Sequence, residues 1–224
     1  MINIKQLING TCNLDHVVAI NYKNNQLEIF FETPQPNHSI RSETFDCPYY
    51  LLCDKPLTSG WTELNGNNPL RWIKCYDSQR QLWEEKRAYP KDTSFLHVYD
   101  PVDGAMVKEG ITFFQGLTPS DVSVLSFDIE ATGLELNAES KVLLITTAYR
   151  LGCKEVVKTF EYDKYESEVE FMDDFCSYVR EMNPSVITGH NIITYDLPYL
   201  QHCMSRNGRT LKLGRDNSAM TFNA

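Results

Sequence analysis

The stretch SVLSFDIEATGLE, residues 123–135, sets the reading of this chain. Val124, Leu125, Phe127 and Ile129 form the apolar run of a buried strand, yet the run takes in Asp128 and Glu130 before it reaches Thr132 and Gly133. On a strand, side chains at i and i+2 share a face, so the two carboxylates project side by side, roughly 6–7 Å apart at the backbone. Anions that close repel, and one must take up a proton unless a cation lies between them. A divalent ion with oxygen ligands is the natural cation, because Mg²⁺ is typically held by one or two carboxylates plus phosphate oxygens. The pair alone leaves two readings open: an exposed strand end with both acids solvated, or a cation site.

Downstream, the pattern is mixed α/β. KVLLITTAYR and EVVKTFEY read as a second and a third strand on short connections. In SEVEFMDDFCSYVREM, Val169, Met172, Phe175, Val179 and Met182 recur at helical spacing, and Ser167 with Glu170 forms a capping box. Pro184 closes that helix, and SVITGHN is a short buried strand. It leads into YDLPYLQHCMSRNG, where Asp196 can cap a second helix, Pro198 fits its first turn and Gly208 terminates it. The expected topology is a three-stranded meander to which a helical crossover adds a fourth strand.

The first half reads as short strands and turns. DHVVAINYKNNQLEIFFET predicts a hairpin about Asn24 and Asn25, residues that tolerate left-handed turn conformations. Residues 34–68 have a loop-rich texture, with PQPNHS and NGNNP as punctuation. LRWIKCYDS and SFLHVYD look like strands on either side of a short helix in QRQLWEEKRAYP. KEGITFFQGLTPSD carries the glycines and proline of a boundary. The fold class expected is therefore α/β and α+β: a β-rich N-terminal domain over residues 1–115 and a mixed-sheet domain over 116–224.

With 224 residues, 42% of them hydrophobic, the chain can bury a real core. No apolar run approaches the roughly 18–20 residues of a membrane span, and the N-terminus lacks the plan of a signal peptide. The seven cysteines are odd in number, scattered and without a Cys-x-x-Cys, which predicts neither a disulfide framework nor a zinc site and makes the cytoplasm the default location. A formal charge of −9 argues against a stand-alone domain that grips nucleic acid through phosphates. Trp61, Trp72 and Trp83 could stack on bases but read more naturally as core or interface, and the five histidines show no ligand spacing.

The decisive sequence feature is joint. FDIEATG, then TGHNIITYDLPYL further along, then LGR, with YDPVDGAMVKEGITFFQG upstream, resembles the 3′→5′ exonuclease domain of family B DNA polymerases. The resemblance covers the second half of the chain firmly and the first half loosely. It implies a ribonuclease H-like fold, incomplete at its C-terminus, behind the family's N-terminal domain. It implies that Asp128, Glu130 and Asp196 are catalytic metal ligands for two Mg²⁺ or Mn²⁺ ions. Asn191 would contact the single-stranded 3′ end, and Thr132, Gly133, Leu134 and Tyr195 would bind the terminal nucleotide. A metal pair about 4 Å apart can generate hydroxide and stabilise both attacking and leaving oxygens in phosphodiester hydrolysis.

The family's third motif, a Tyr and an Asp on a later helix, is not matched: Asp216 is the sole carboxylate side chain after Asp196. The polymerase palm is absent as well. The resemblance therefore implies a fragment or one piece of a split polymerase, weak as a nuclease by itself. Its partners would be single-stranded or primer-template DNA and the rest of the polymerase, with self-association through uncovered apolar sheet surface. The alternatives are a non-catalytic assembly or DNA-binding module, and an independent ribonuclease H-like exonuclease.

Overall fold

Two asparagines open the architecture. Asn24 and Asn25 both have left-handed backbones, φ 53° and 63°, and join β1 (Val17–Lys23) to β2 (Gln26–Thr33) in the predicted antiparallel hairpin. The computed structural model describes residues 12–220. The chain divides into two compact units, with the division between Leu117 and Thr118.

In the first unit β3 (Ser39–Asp46) pairs antiparallel with β2. A second sheet runs β5-β6-β4-β7, formed by β4 (Tyr49–Cys53), β5 (Thr62–Glu63), β6 (Trp72–Tyr76) and β7 (Phe95–Leu96). The loop-rich expectation for residues 34–68 is thus corrected: β3, β4 and β5 all lie there. β3 is mostly exposed and polar, so no apolar period announces it and its pairing with β2 holds it in place. β4 is a nearly unbroken buried run, which lacks the alternation of a half-buried strand.

The expected helix α1 spans Gln79–Ala88, with Ser78 as N-cap and Leu82 in the core. A further helix, α2 (Pro101–Glu109), goes beyond the sequence expectation. Its end signals are present: Asp100 accepts from the Val102 and Asp103 N–H groups, Pro101 opens the first turn and Gly110 closes it at φ 68°. Its buried residues are only Gly104 and Ala105, too small to make an apolar stripe. Val17, Ile29, Leu51 and Leu82 centre the core of this unit. Trp83 packs edge-on against His97 at 5.0 Å between ring centres, and Trp61 against Tyr89 at 6.1 Å.

The second unit is the meander plus one. β8 (Val124–Ala131), β9 (Val142–Leu151) and β10 (Lys154–Glu161) are antiparallel neighbours, and β11 (Val186–Thr188) pairs parallel with β8. Between β10 and β11 runs α3 (Glu168–Met182); α4 (Asp196–Arg206) follows β11. Ser167 Oγ accepts the Glu170 N–H at 3.2 Å, as the capping box requires. The returning carboxylate takes the Glu166 N–H instead of that of Ser167. Asn183, left-handed at φ 45°, ends α3 just ahead of Pro184. Gly208 and Arg209 donate back to Ser205 and Met204, which closes α4 as a Schellman motif.

Both helices share one core with one sheet face. Phe175 of α3 stands edge-on to Phe127 of β8 and Phe160 of β10, and Leu200 and Cys203 of α4 join the same cluster. Each fully buried side chain of this kind contributes roughly 1.5–3 kcal/mol. Asp128 and Glu130 stand exposed among buried neighbours, in register with Thr146 and Leu144 of β9. Val157 of the edge strand β10 and Leu143 of β9 are exposed. All seven cysteines are free thiols. Among the described residues no helix is long and apolar enough to cross a membrane.

Candidate active site

The strand alternation that buries Phe127 and Ile129 leaves Asp128 and Glu130 in solvent on the same face. The parallel ladder with β11 pairs Val186 with Val124, Ile187 with Leu125 and Thr188 with Ser126. Beyond it the chain turns through Gly189, whose backbone runs so close that a Cβ would collide with the Phe127 carbonyl and the Ile192 side chain. Two residues further along β8, the Ile129 N–H is taken up by a side chain. It donates to Asp196 Oδ1 at 3.2 Å.

This bond corrects one expectation. Asp196 does not cap its helix: Tyr195 occupies the cap position without a side-chain bond, and Asp196 is the first helical residue. Its carboxylate reaches back to the backbone between Asp128 and Glu130, and it is 2% exposed. Burial pushes its pKa above the ordinary aspartate value. The Ile129 and Asp196 amides oppose that rise, the charge of Asp128 adds to it, and His190 opposes it weakly. The buried Asp196 carboxylate is thus bonded to the backbone of the strand whose exposed side chains include Asp128 and Glu130.

Beside them, residues 132–141 form a loop closed on itself. The Thr132 N–H donates to the Lys141 carbonyl, and the Lys141 N–H to Thr132 Oγ1, each at 3.0 Å. The loop lines an open cavity of about 800 Å³ that includes Thr132, Gly133 and Leu134. Leu134 is 84% exposed. Tyr195 reaches into this loop and donates its hydroxyl to the Gly133 carbonyl at 3.2 Å. Asn191, exposed and left-handed at φ 57°, makes the turn before α4; its carbonyl accepts the Thr194 and Tyr195 N–H groups and its side chain accepts from Thr194 Oγ1.

Asp128 and Glu130 thus share the exposed face of β8, Asp196 is bonded to the backbone between them, Tyr195 is joined to Gly133, and Asn191 makes the preceding turn. Oxygen-only donors of this kind suit Mg²⁺ or Mn²⁺. Among the described residues no group of three or more His, Cys, Asp or Glu side chains is placed so that it could hold a metal ion. The Ile129 amide and Gly189 are site features that the sequence reading does not single out. A backbone donor leaves no residue-type signal, and the tight passage at Gly189 exists only once β8 and β11 pair.

The chain matches the family model for the DNA polymerase family B exonuclease domain over residues 67–223. It belongs to that family. The match begins within the first unit and runs through the second. A DNA polymerase of Pyrococcus glycovorans is 34% identical over 46% of this chain and 15% of its own length. The DNA polymerase catalytic subunit of Elephantid herpesvirus 1 is 25% identical over 81% of this chain and 16% of its own length. The chain therefore spans about one sixth of the length of these relatives. The solved family B DNA polymerase of Pyrobaculum calidifontis superposes on 90% of the chain with a TM-score of 0.63 at 15% identity, covering 33% of that structure. The likeness extends to the fold, which is ribonuclease H-like.

Proposed function

We propose that this chain is the N-terminal and proofreading portion of a family B DNA polymerase, which removes the 3′-terminal nucleotide of single-stranded DNA. The observation that carries the reading is the bond from Ile129 N–H to Asp196 Oδ1, which brings a third carboxylate to the strand that presents Asp128 and Glu130. Asp128, Glu130 and Asp196 would hold the divalent cations, whose chemistry would be to activate water and neutralise charge on the scissile phosphate. The protein's own part in this reading would be to bring the three carboxylates together. β8 fixes two by its alternation, and the Ile129 amide fixes the third. Thr132, Gly133 and Leu134 flank the cavity beside the acids and would receive the terminal nucleotide, with Tyr195 tying Gly133 in place and Asn191 at the approach of the strand. Such a reaction implies two partners, a DNA strand and the rest of the polymerase.

Asp216, the only carboxylate side chain after Asp196, accepts the Ser218 N–H in a local turn, and the family's later Tyr and Asp motif is not matched in the sequence. This span alone is therefore expected to be a slow nuclease. That no group of three such side chains among the described residues is placed to hold a metal ion is the observation that favours the second reading, a non-catalytic assembly module that keeps the exonuclease fold. A purified sample incubated with 5′-labelled single-stranded DNA and Mg²⁺ or Mn²⁺ separates the two. Slow shortening from the 3′ end that disappears in Asp128→Ala supports the exonuclease. Shortening that survives the substitution, or none at all in the unaltered chain, counts against it.

A further inference from the structure

The loop beside the acids is held from an unexpected direction. Its carbonyls, not its side chains, are the points of attachment, and the groups that hold them all belong to α4 or its cap. Tyr195 bonds the Gly133 carbonyl at 3.2 Å, and His202 Nε2 lies 2.9 Å from the Asn137 carbonyl. Arg206 donates one nitrogen to the Ala138 carbonyl at 2.9 Å and to the Ser140 carbonyl at 2.5 Å. Its other nitrogen grips both oxygens of Glu168, at 2.7 and 2.6 Å. That pair is largely sheltered, with side-chain exposures of 25% and 11%, so the guanidinium fork is fixed and not a loose surface contact. Within the loop Ser140 Oγ accepts the Asn137 N–H and donates to the Glu135 carbonyl, which passes the anchor on toward the Thr132 end.

One helix therefore carries Asp196 at its start and the loop anchor at its end. At about 1.5 Å of rise per residue, the span of α4 separates the two by roughly 15 Å. We infer that Arg206 and His202 are positioning residues: they set the pose of the 132–141 loop against the carboxylates and so govern affinity for the 3′-terminal nucleotide without touching the reacting atoms. Asp196 has its own tether at Ile129, so loosening the far end of α4 loosens the pocket and leaves the acids in place. The inference rests on the exonuclease reading above and adds which residues determine its substrate affinity.

The test uses the whole chain and a 5′-fluorescein single-stranded oligonucleotide, with binding read by anisotropy in Ca²⁺ and cleavage read in Mn²⁺. Arg206→Gln is expected to weaken binding and raise KM about tenfold, and His202→Ala about threefold, with kcat within about twofold of the unaltered chain in both. Unchanged affinity in both variants, or a loss confined to kcat, overturns the inference. If Arg206→Gln does not fold, His202→Ala alone decides. Should the unaltered chain bind the oligonucleotide without cutting it, the hydrolytic reading falls while the affinities still judge the loop anchor. If it does not bind at all, both fall.

Discussion

Asp196 and Ile129 stand 67 residues apart in the chain and are joined by a single hydrogen bond, from the Ile129 amide to Asp196 Oδ1 at 3.2 Å. A buried acceptor here answers a donor that the short β11 leaves without a strand partner. Asp196→Ala strands that amide, and the cost of an unmade buried hydrogen bond is about 1–3 kcal/mol. Asp196→Asn keeps an oxygen in place and should escape that cost. Urea denaturation of both variants in EDTA checks the pair; equal losses would show that the bond is not what holds the carboxylate.

The same residue sets a pH dependence. Burial raises the Asp196 pKa, so the folded state favours the protonated acid. Its contribution to stability is complete below the ordinary aspartate value of about 3.9 and is lost as pH rises through the raised folded value. Asp196→Asn carries no charge and lacks this loss. Measured without divalent ions, the stability of the Asn variant relative to the parent should grow as pH rises through the acidic range and then level off. Parallel curves would contradict the assignment.

His97 predicts the opposite slope in the first unit. Burial, helped by the nearby Lys86 charge, holds its pKa below the ordinary histidine value. The neutral ring is favoured in the folded state, edge-on to Trp83. Its contribution is present above the ordinary value of about 6.5 and is lost as pH falls through the lowered folded value. In His97→Gln that acid-side loss should vanish, as followed by tryptophan fluorescence during denaturation between neutral and mildly acidic pH.

Gly189 is a steric requirement. A methyl group there meets the Phe127 carbonyl, a backbone atom that cannot swing aside. Gly189→Ala should cost about 1–3 kcal/mol, as overpacking does, and should displace the turn that delivers Asp196. A thermal melt indistinguishable from the parent would refute this.

Legibility in the sequence depends on the kind of signal. The second unit is legible in order and in topology, because alternation in β8 and helical spacing in α3 are strong periodic patterns. In the first unit β3, β4 and α2 are not, since exposed polar pairing, unbroken burial and a helix facing its core with Gly104 and Ala105 leave no period to read. At the site the acids are visible as residue types. The tie of Asp196 to β8 is not, because it runs through the amide of Ile129, and a backbone donor has no letter in the sequence. Arg206 looks like an ordinary basic residue at a helix end until folding brings Ser140 and Ala138 beside it.

Central to the exonuclease reading is whether Asp128, Glu130 and Asp196 hold divalent cations together. Mn²⁺ titrated into the metal-free chain, with bound ion followed by electron paramagnetic resonance, measures this without any need for turnover. Saturable binding that weakens at least about tenfold in each of Asp128→Ala, Glu130→Ala and Asp196→Ala is the predicted result. Binding that is absent from the unaltered chain, or that is indifferent to all three substitutions, would contradict it.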